Sequence, residues 1–412
     1  MGSCFSKNNS SPRHGGGGDG DSPKVAPNRR RLSLSQSAEA KDTPEGAERG
    51  SMMFNLLENE DHVLQFFNKA RRKFSVSGAP TNTFQRGFDN KAHVASGDSV
   101  PLSEVGVGFA CKKGWKPESP NQDDFFILRI DDWGLYGVFD GHGPFGHDIS
   151  NFVQSSLPKV LCSDKDFHDD PKKALRTTFL EMHRLIEEAS KKHRFDSALS
   201  GTTGTVVLHK PKEGKLFVAH VGDSRCVLAR YSDEKKVEGL DLTQDHKPNL
   251  DQERKRIVQC GGQVRRLDGD IPFRVFVRGR MYPGLAMSRA LGDSVGHSAG
   301  VIAEPDVQEY DLVEGRDLFI VICSDGVWEF ISSQEAVDLV HSRTIEEVQD
   351  AADALASDSW RRWIEEEHNV VDDITVQIIH LFPPKLQKFA TPKHRGRSED
   401  MSASALNGGK SE

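Results

Sequence analysis

The sequence predicts an α+β fold in which strands pair with their neighbours along the chain and helices come in separate blocks. Several short apolar runs are typical of strands, and two successive connections, at 209–215 and 221–225, are short and rich in turn residues. Stretches of helical periodicity lie between groups of strands and do not alternate with single strands. This order favours antiparallel sheets with helices packed outside them over a parallel βαβ sheet.

Each predicted element follows from a local pattern. Helices are predicted over 171–193, which begins with Pro171, and over 250–260, which ends before two glycines. Two further helices begin at capping boxes, the pairs Ser332–Glu335 and Thr344–Glu347. The predicted strands are 125–130, 135–139, 205–209, 215–221, 225–230, 318–324 and 374–380.

The folded core is expected over residues 100–383. Residues 1–50 and 384–412 are rich in small, polar and charged residues and are predicted to be disordered tails. The linker between the N-terminal tail and the core, 51–99, contains an apolar stretch at 53–73 that ends in a basic cluster. Three interpretations of this stretch stay open: a helix packed on the core, a membrane-surface or regulatory helix, or disorder.

The composition argues against several classes of protein. A net charge of -8 and an isoelectric point near 6.1 disfavour nucleic-acid binding. No run approaches the roughly 20 apolar residues of a membrane span. The six cysteines are scattered without a CxxC pair, which is typical of reduced thiols in an intracellular protein and not of a disulfide framework or a zinc site. We expect no nucleic-acid partner and a monomer.

Aspartates stand at the ends of four predicted strands and in one tight turn. Any one of them alone is more typical of a turn or a cap than of a binding site. Asp140 begins an Asp-Gly-His-Gly run directly after a buried strand, and the glycines allow a sharp turn there. The others are the pairs Asp123–Asp124 and Asp372–Asp373, each before a strand, Asp325 after a strand, and Asp223 between two strands.

If these acids meet in space, their charges require compensation. Two unit charges about 4 Å apart repel by roughly 4 kcal/mol at an effective dielectric constant of about 20. The group must therefore be protonated, paired with bases or bound to cations. Carboxylates and backbone carbonyls favour Mg²⁺ or Mn²⁺ over zinc or copper. A pair of such ions can activate a water for attack on a phosphate ester.

The ordered motifs of the core resemble those of the metal-dependent protein phosphatases of type 2C, over roughly residues 104–380. This resemblance implies a four-layer sandwich of two antiparallel β-sheets flanked by α-helices, with a binuclear metal centre at one end. It also implies metal-dependent hydrolysis of phosphoserine and phosphothreonine in phosphoprotein substrates. The matching motifs are NQDD at 121–124, VFDGHG at 138–143, SGTTGTVVL at 200–208, VGDSR at 221–225, DHKP at 245–248, GLAMSRALGD at 284–293, CSDGVWE at 323–329 and DDITV at 372–376.

The resemblance implies a place in the metal site for six residues, one of which, Asp123, acts through metal-bound water. Asp140 would bridge two Mg²⁺ or Mn²⁺ ions, and the carbonyl of Gly141 would bind one of them. Asp325 and Asp372 would complete the other ion. Asp223 matches an acid associated with a weaker third metal.

Further residues acquire catalytic roles from the same resemblance. Asp123 would order metal-bound water, including the hydroxide nucleophile, and His142 would protonate the leaving serine or threonine oxygen. Lys116 stands where many members have a phosphate-binding arginine, and lysine cannot make the bidentate clamp. Gln122 replaces a frequent glutamate, and Glu329 replaces an aspartate at the third metal.

The segment 263–283 resembles a variable flap beside the site and carries five arginines. It is either a surface for acidic or phosphorylated protein substrates or a solvated loop. Two functions other than that of a phosphatase are alternatives for this sequence. A pseudophosphatase scaffold would be favoured by loss of metal carboxylates, yet these are present. A metal-dependent phosphodiesterase or nuclease lacks support from a basic face.

The N-terminal sequence MGSCFS predicts a lipid anchor. Gly2 and Ser6 fit the myristoylation pattern, and Cys4 offers a palmitoylation site. One myristoyl chain binds membranes only marginally, so the three arginines at 29–31 are expected to add attraction to anionic lipid. We expect a peripheral, lipid-anchored protein on the cytoplasmic side of a membrane, with a cytosolic pool.

Mass spectrometry of the protein expressed in a eukaryotic host tests this anchor. The N-terminal peptide is expected to lack Met1 and to carry a myristoyl group on Gly2, and Gly2→Ala should abolish the modification and increase the soluble fraction. An unmodified N-terminus would remove the membrane prediction.

Overall fold

The computed structural model describes residues 73–81, 88–98, 101–116, 120–130, 133–267 and 272–383. The predicted tails, and the stretch 53–73 apart from Lys73, lie outside these ranges. None of the helices within them is long and apolar enough to cross a membrane.

The described chain forms strands and helices in mixed order. In chain order the strands are β1 (Lys73–Gly78), β2 (His93–Gly97), β3 (Val107–Lys112), β4 (Asp123–Ile130), β5 (Trp133–His142), β6 (Gly201–Thr202), β7 (Gly204–Lys210), β8 (Lys215–Val221), β9 (Arg225–Tyr231), β10 (Val237–Asp241), β11 (Gly262–Arg265), β12 (Arg274–Val277), β13 (Pro283–Leu285), β14 (Leu291–Gly292), β15 (Asp306–Asp311), β16 (Asp317–Cys323) and β17 (Ile374–His380). The helices are α1 (Gly146–Ser163), α2 (Pro171–Lys191), α3 (Asp251–Gln259), α4 (Ser294–His297), α5 (Asp325–Trp328), α6 (Ser333–His341) and α7 (Val348–Glu367), with 3-10 helices at Leu102–Val105 and Ile345–Glu347.

Two antiparallel sheets form the centre of the fold. The larger follows the order β15-β8-β7-β5-β4-β1-β2, and β6 links the end of β5 to β14. The smaller follows the order β10-β9-β16-β17-β3. Within the predicted flap, 263–283, the described residues contribute to a third sheet of three short strands, β11 to β13, and residues 278–282 form an exposed connection between β12 and β13.

The sheets and helices stack in four layers, as the resemblance implied. Tyr136 and Ile320, one from each large sheet, belong to one apolar cluster between the sheets. Helices α1 and α2 cover the outer face of the larger sheet, with Val153 in the cluster there. Helices α6 and α7 cover the outer face of the smaller sheet, with Leu355 in its cluster.

Most elements agree with the sequence pattern. Strands β8 and β17 have the predicted bounds, and α2 begins at Pro171 as expected. Both capping boxes are present, at Ser332 with Glu335 and at Thr344 with Glu347.

The folded core was expected to start at residue 100, but the larger sheet already includes β1 and β2, which come before that residue. Strand β1 pairs along β4, and β2 pairs with β1. The pattern KFSVSG is a weak strand signal, because its apolar alternation contains only two residues, Phe74 and Val76, both of which are buried. Backbone pairing at the edge of an existing sheet supplies the order that local apolar content does not.

A buried ion pair joins the segment before β2 to the start of β4, at the end of the larger sheet where Asp123 lies. Lys91 Nζ lies 3.0 Å from Asp124 Oδ2 and donates to the carbonyl of Asp123 at 2.6 Å. Asn151 on α1 donates to the same Asp124 oxygen at 3.1 Å. Burial alone would lower the pKa of Lys91, but the neighbouring groups, first among them the charge of Asp124, together outweigh it and raise that pKa. Both side chains are almost completely buried, so neither can lose its partner cheaply.

Replacing Lys91 by methionine is therefore expected to reduce the free energy of unfolding by about 3–5 kcal/mol, because Asp124 is left charged and buried. Chemical denaturation measures this loss. The double variant Lys91→Met/Asp124→Leu should recover most of it. A single variant as stable as the parent would contradict the importance of this pair.

Candidate active site

Asp123 and Asp140 lie opposite each other at one end of the larger sheet. They are partners in the antiparallel register of β4 and β5, so their side chains share a face. The sequence explains this position, because β4 begins with acids and β5 ends with one after an apolar run. Asp123 is fully buried, and the backbone N–H of Asp140 donates to Thr203 Oγ1 at 3.0 Å.

The smaller sheet brings its own polar residues to the same place. Asp325 begins α5 two residues after the last residue of β16, close enough to Asp140 for each to influence the pKa of the other. Ser324 Oγ and Thr375 Oγ1 each donate to Asp123 Oδ2 at 2.7 Å. The ends of both sheets therefore meet at Asp123.

Five carboxylates form one electrostatic group, the acid cluster of Asp123, Asp140, Asp223, Asp325 and Asp372. Burial, followed by the charges of the other four, raises the pKa of Asp140 well above its ordinary value. Burial and neighbouring carboxylates raise the pKa of Asp123 to about 8. Burial, Asp223 and Asp372 raise the pKa of Asp325 to about 7. Without bound cations, the cluster therefore retains protons near neutral pH.

Two lysines neutralise members of this cluster. Lys247 Nζ lies 2.5 Å from Asp223 Oδ2, and Lys116 Nζ forms an ion pair with Asp372 Oδ1. Burial would lower the pKa of each ammonium, but the carboxylates outweigh it and raise both pKa values. The sequence pointed to Lys116. It gave no role to Lys247, although the motif at 245–248 marked its position.

His142 follows the cluster on β5 and has an acidic partner that the sequence analysis missed. Its Nε2 lies 2.6 Å from Asp293 Oδ2. Asp293 is fully buried and has a φ of 50°, in the left-handed region that residues other than glycine rarely adopt. Burial lowers the pKa of His142, but the charge and hydrogen bond of Asp293, together with the charges of Asp223 and Asp325, outweigh it and raise that pKa. The motif at 284–293 ended at this aspartate, which was the available signal.

Gly141 occupies a position where no side chain fits. A Cβ there would lie 2.3 Å from the carbonyl oxygen of Gly146 and 2.6 Å from that of Gln122. The N–H of Gly141 donates to the same Gln122 carbonyl at 3.1 Å. Its role as a carbonyl ligand stays a prediction.

Other predicted residues are placed differently. Asp124 points away from the cluster, because successive residues of a strand face opposite sides. Asp373 accepts from the backbone N–H groups of Gly114 at 2.7 Å and Gln122 at 2.8 Å, so it fixes two loops beside the cluster. Glu329 is exposed at the end of α5, and its role at a third metal stays a prediction.

The donor atoms of the acid cluster fit a hard divalent cation. Asp123 Oδ1 and Asp223 Oδ1 are buried and have no hydrogen-bond partner within the described ranges. Carboxylate oxygens are the donors that Mg²⁺ and Mn²⁺ prefer, and the crowded negative charge favours binding of cations of either kind.

A second group of possible metal ligands lies outside the acid cluster, and its side chains already form hydrogen bonds within the protein. His220, His246 and Asp306 bring ligand atoms within 4.8 Å of one another. The backbone N–H of Gly222 donates to His246 Nδ1 at 3.1 Å, and His246 Nε2 lies 3.2 Å from Asp306 Oδ2. Arg289 also donates to Asp306, at 2.8 Å. This trio holds the turn before Asp223 in place.

Comparison with known proteins identifies the class of site. Residues 117–366 match the sequence profile described as Protein phosphatase 2C. This chain belongs to the protein phosphatase 2C family. Its relatives in Arabidopsis thaliana include "Probable protein phosphatase 2C 35", 34% identical over 330 residues that cover 73% of this chain and 90% of the relative. Another, "Probable protein phosphatase 2C 73", is 35% identical over 360 residues, 78% of this chain and 94% of the relative.

Solved structures agree on the fold. The serine-threonine phosphatase 2C of Toxoplasma gondii superimposes with a TM-score of 0.57 at 21% identity, over 66% of this chain and 94% of that one. A C. elegans sex determining protein gives 0.56 at 21% identity, over 69% of this chain and 66% of that one. Family membership makes the protein a Mg²⁺/Mn²⁺-dependent protein serine/threonine phosphatase.

The acid cluster predicts an unusual pH dependence of stability without divalent cations. Asp325 and Asp123, with pKa values of about 7 and 8, hold protons that the unfolded chain releases. The free energy of unfolding should therefore fall as the pH rises from about 7 to about 8.5. Buried histidines such as His209, with a pKa of about 3 in the folded protein, add stability as the pH rises to about 6.5, the ordinary pKa of histidine, so most of their contribution is complete below this window. Calorimetry in EDTA measures the trend as a falling melting temperature.

The variant Asp140→Asn provides the control. In EDTA near pH 8 it should be more stable than the parent by about 1–3 kcal/mol, because one unit of pKa shift corresponds to about 1.4 kcal/mol. A melting temperature that rises over this window, or a destabilised Asp140→Asn protein, would contradict the electrostatic interpretation.

Proposed function

We propose that the acid cluster binds two Mg²⁺ or Mn²⁺ ions, with a weaker third ion at Asp223, and that phosphoserine and phosphothreonine in phosphoproteins are hydrolysed there. The observation that carries this proposal is the convergence of acids on Asp140. Burial and four carboxylates from separate segments raise its pKa. Bound divalent cations would remove this repulsion.

Most residues of the proposed metal site would bind the cations directly, and Asp123 would bind water. When bound, a pair of divalent cations supplies a nucleophilic water at neutral pH and offsets the charge of the phosphate. Asp140, the carbonyl of Gly141, Asp325 and Asp372 would hold the two ions. Asp123 is fixed by two hydroxyl donors on one oxygen, so its other, unpartnered oxygen can accept a hydrogen bond from water.

His142 is suited to protonate the leaving group. Attack of water on phosphorus breaks the bond to the serine or threonine oxygen, and this oxygen then needs a proton. The raised pKa keeps His142 protonated at a higher pH than an ordinary histidine, and Asp293 fixes its ring from the opposite nitrogen. Its Nδ1 is buried without a hydrogen-bond partner within the described ranges, so this nitrogen is free for the proton transfer.

Lys116 can contact the phosphate. Its side chain is 36% exposed beside Asp372, so its ammonium borders both the cluster and solvent. A lysine supplies a single point charge, where arginine would make two parallel hydrogen bonds. We therefore expect weaker phosphate binding than an arginine would give.

The lipid anchor, the membrane location with its cytosolic pool, and the monomeric state stay predictions. The residues that would carry the anchor lie outside the described ranges. The rival function of a pseudophosphatase scaffold can be distinguished from that of an active enzyme by removing the metal and by changing Asp140.

Metal removal and Asp140→Ala test the metal-dependent reaction. Hydrolysis of p-nitrophenyl phosphate and of a phosphoserine peptide is expected with Mn²⁺ or Mg²⁺ and should be lost in EDTA. Asp140→Ala should lower kcat/KM by at least about 10³-fold, whereas Asp311→Asn, an exposed change on the edge strand β15, should not. Activity that survives EDTA would contradict the proposal, and metal binding without any hydrolysis would favour a scaffold.

His142→Gln tests the proton transfer through its dependence on the leaving group. A serine alkoxide needs a proton, whereas p-nitrophenolate leaves readily without one. We expect the variant to lose about 10²- to 10⁴-fold in kcat on a phosphoserine peptide and far less on p-nitrophenyl phosphate. Equal losses on both substrates would show that His142 acts in some other way.

A further inference from the structure

Three polar side chains lie between the two large sheets, at the end of the larger sheet opposite the acid cluster. Strand β4 begins at Asp123, and Arg129 is its last residue but one, about 20 Å along the strand from Asp123. The other two side chains are those of Tyr136 on β5 and His209 on β7. The proposed phosphatase mechanism uses none of the three. We call Arg129, Tyr136 and His209 the internal polar group.

The strand register places Arg129 and His209 on the same face of the larger sheet. Arg129 pairs with Gly134, and Gly134 pairs with His209, so these residues form one row across β4, β5 and β7. The row continues to Phe74 on β1 and to Leu216 on β8. Both of these belong to the apolar cluster between the sheets. The row therefore faces the smaller sheet, and apolar side chains close it on both sides.

The hydroxyl of Tyr136 lies in the middle of this row, over Gly134. A Cβ on Gly134 would lie 2.5 Å from Tyr136 Oη. Arg129 Nη1 donates to that oxygen at 2.7 Å. Burial, followed by the charge of Arg129, lowers the pKa of His209 to about 3, so this imidazole is neutral at neutral pH. The guanidinium, the hydroxyl and the imidazole are therefore close neighbours.

The internal polar group carries hydrogen-bond donors that have no acceptor among the described residues. Arg129 Nε and both ring nitrogens of His209 are buried without a partner there. Tyr136 Oη accepts from Arg129, and the hydrogen of this hydroxyl has no acceptor in the same ranges. A neutral imidazole carries one N–H. Each of the three side chains thus has a buried donor to offer, and the group lacks an acceptor.

The charge of Arg129 is also uncompensated. Arg129 is 5% exposed, and His209 and Tyr136 are fully buried. No carboxylate of the described ranges forms an ion pair with Arg129, whereas buried Lys91 has Asp124 as its partner. A buried cation without a counter-charge is unfavourable, because burial removes its hydration. A water molecule would supply an acceptor but no charge, whereas an anion supplies both.

We propose that the internal polar group binds one small monovalent anion, such as chloride, which accepts hydrogen bonds from Arg129 Nε, the Tyr136 hydroxyl and one ring nitrogen of His209. One negative charge matches the single positive charge of the group. The apolar side chains around it favour an ion of few atoms. This site is separate from the acid cluster and does not depend on the proposed phosphatase function. The bound anion stabilises the packing of the two sheets at this end.

The halide dependence of thermal stability tests this site in the Mn²⁺-loaded protein. Sodium bromide replaces sodium gluconate at constant ionic strength, because gluconate is too large for a site enclosed by apolar side chains. Above the dissociation constant, each tenfold increase in bromide should raise the melting temperature by about 2–4 °C. Arg129→Met should abolish this rise, because it removes both the charge and the Nε donor. The matched control is Arg316→Met, at an arginine whose side chain is 43% exposed, and it should keep the rise.

Crystals of the parent protein soaked in bromide locate the ion directly, even if Arg129→Met does not fold. Anomalous scattering should show one bromide in contact with Arg129 Nε. A water there without anomalous signal, or an equal rise in melting temperature for the parent and Arg129→Met, would overturn the proposal. Asp131 and Asp132 follow soon after Arg129 in the sequence and lie outside the described ranges. A carboxylate of either in contact with the guanidinium in these crystals would show that the chain supplies its own anion, and would also overturn it.

Discussion

The crowding of five carboxylates where two sheets end is the constraint on which the rest of the structure depends. Burial and the mutual repulsion of these acids raise the pKa of Asp140 well above its ordinary value. The fold therefore has to supply positive charge at this point, and Lys116 and Lys247 supply part of it. Divalent cations are the remaining source in the proposed mechanism, so the feature that makes the metal-free protein less stable is also the one that would make it a catalyst.

The surrounding residues hold the acids in place against that repulsion. Two hydroxyls from the smaller sheet donate to Asp123, which lies on the larger sheet, so neither sheet can shift without losing these bonds. Asp373 uses both oxygens to fix neighbouring loops, and the buried pair of Lys91 and Asp124 fastens the segment before β2 behind the site. The site is thus rigid because several separate segments are each tied to it by at least one buried polar contact.

Much of this arrangement was predictable from the sequence, since long apolar runs define strands and the acids sit at their ends. Asp140 and Asp325 could be placed because each directly follows such a run. Strands β1 and β2 were missed because their local apolar signal is weak and their order comes from pairing, of β1 with β4 and of β2 with β1. Asp293 lies 151 residues from its partner His142, and no local pattern reports a contact of that range. The same limit applies to Lys247, which lies 24 residues from its partner Asp223.

Titration of the metal-free protein with Mn²⁺ in a calorimeter tests the central claim most directly, because it measures binding without requiring catalysis. Two strongly bound ions per chain are expected for the parent protein, and Asp140→Asn should lose at least one of them while keeping its fold. Unchanged stoichiometry and affinity in Asp140→Asn would contradict the claim that the acids converging on Asp140 form the metal centre.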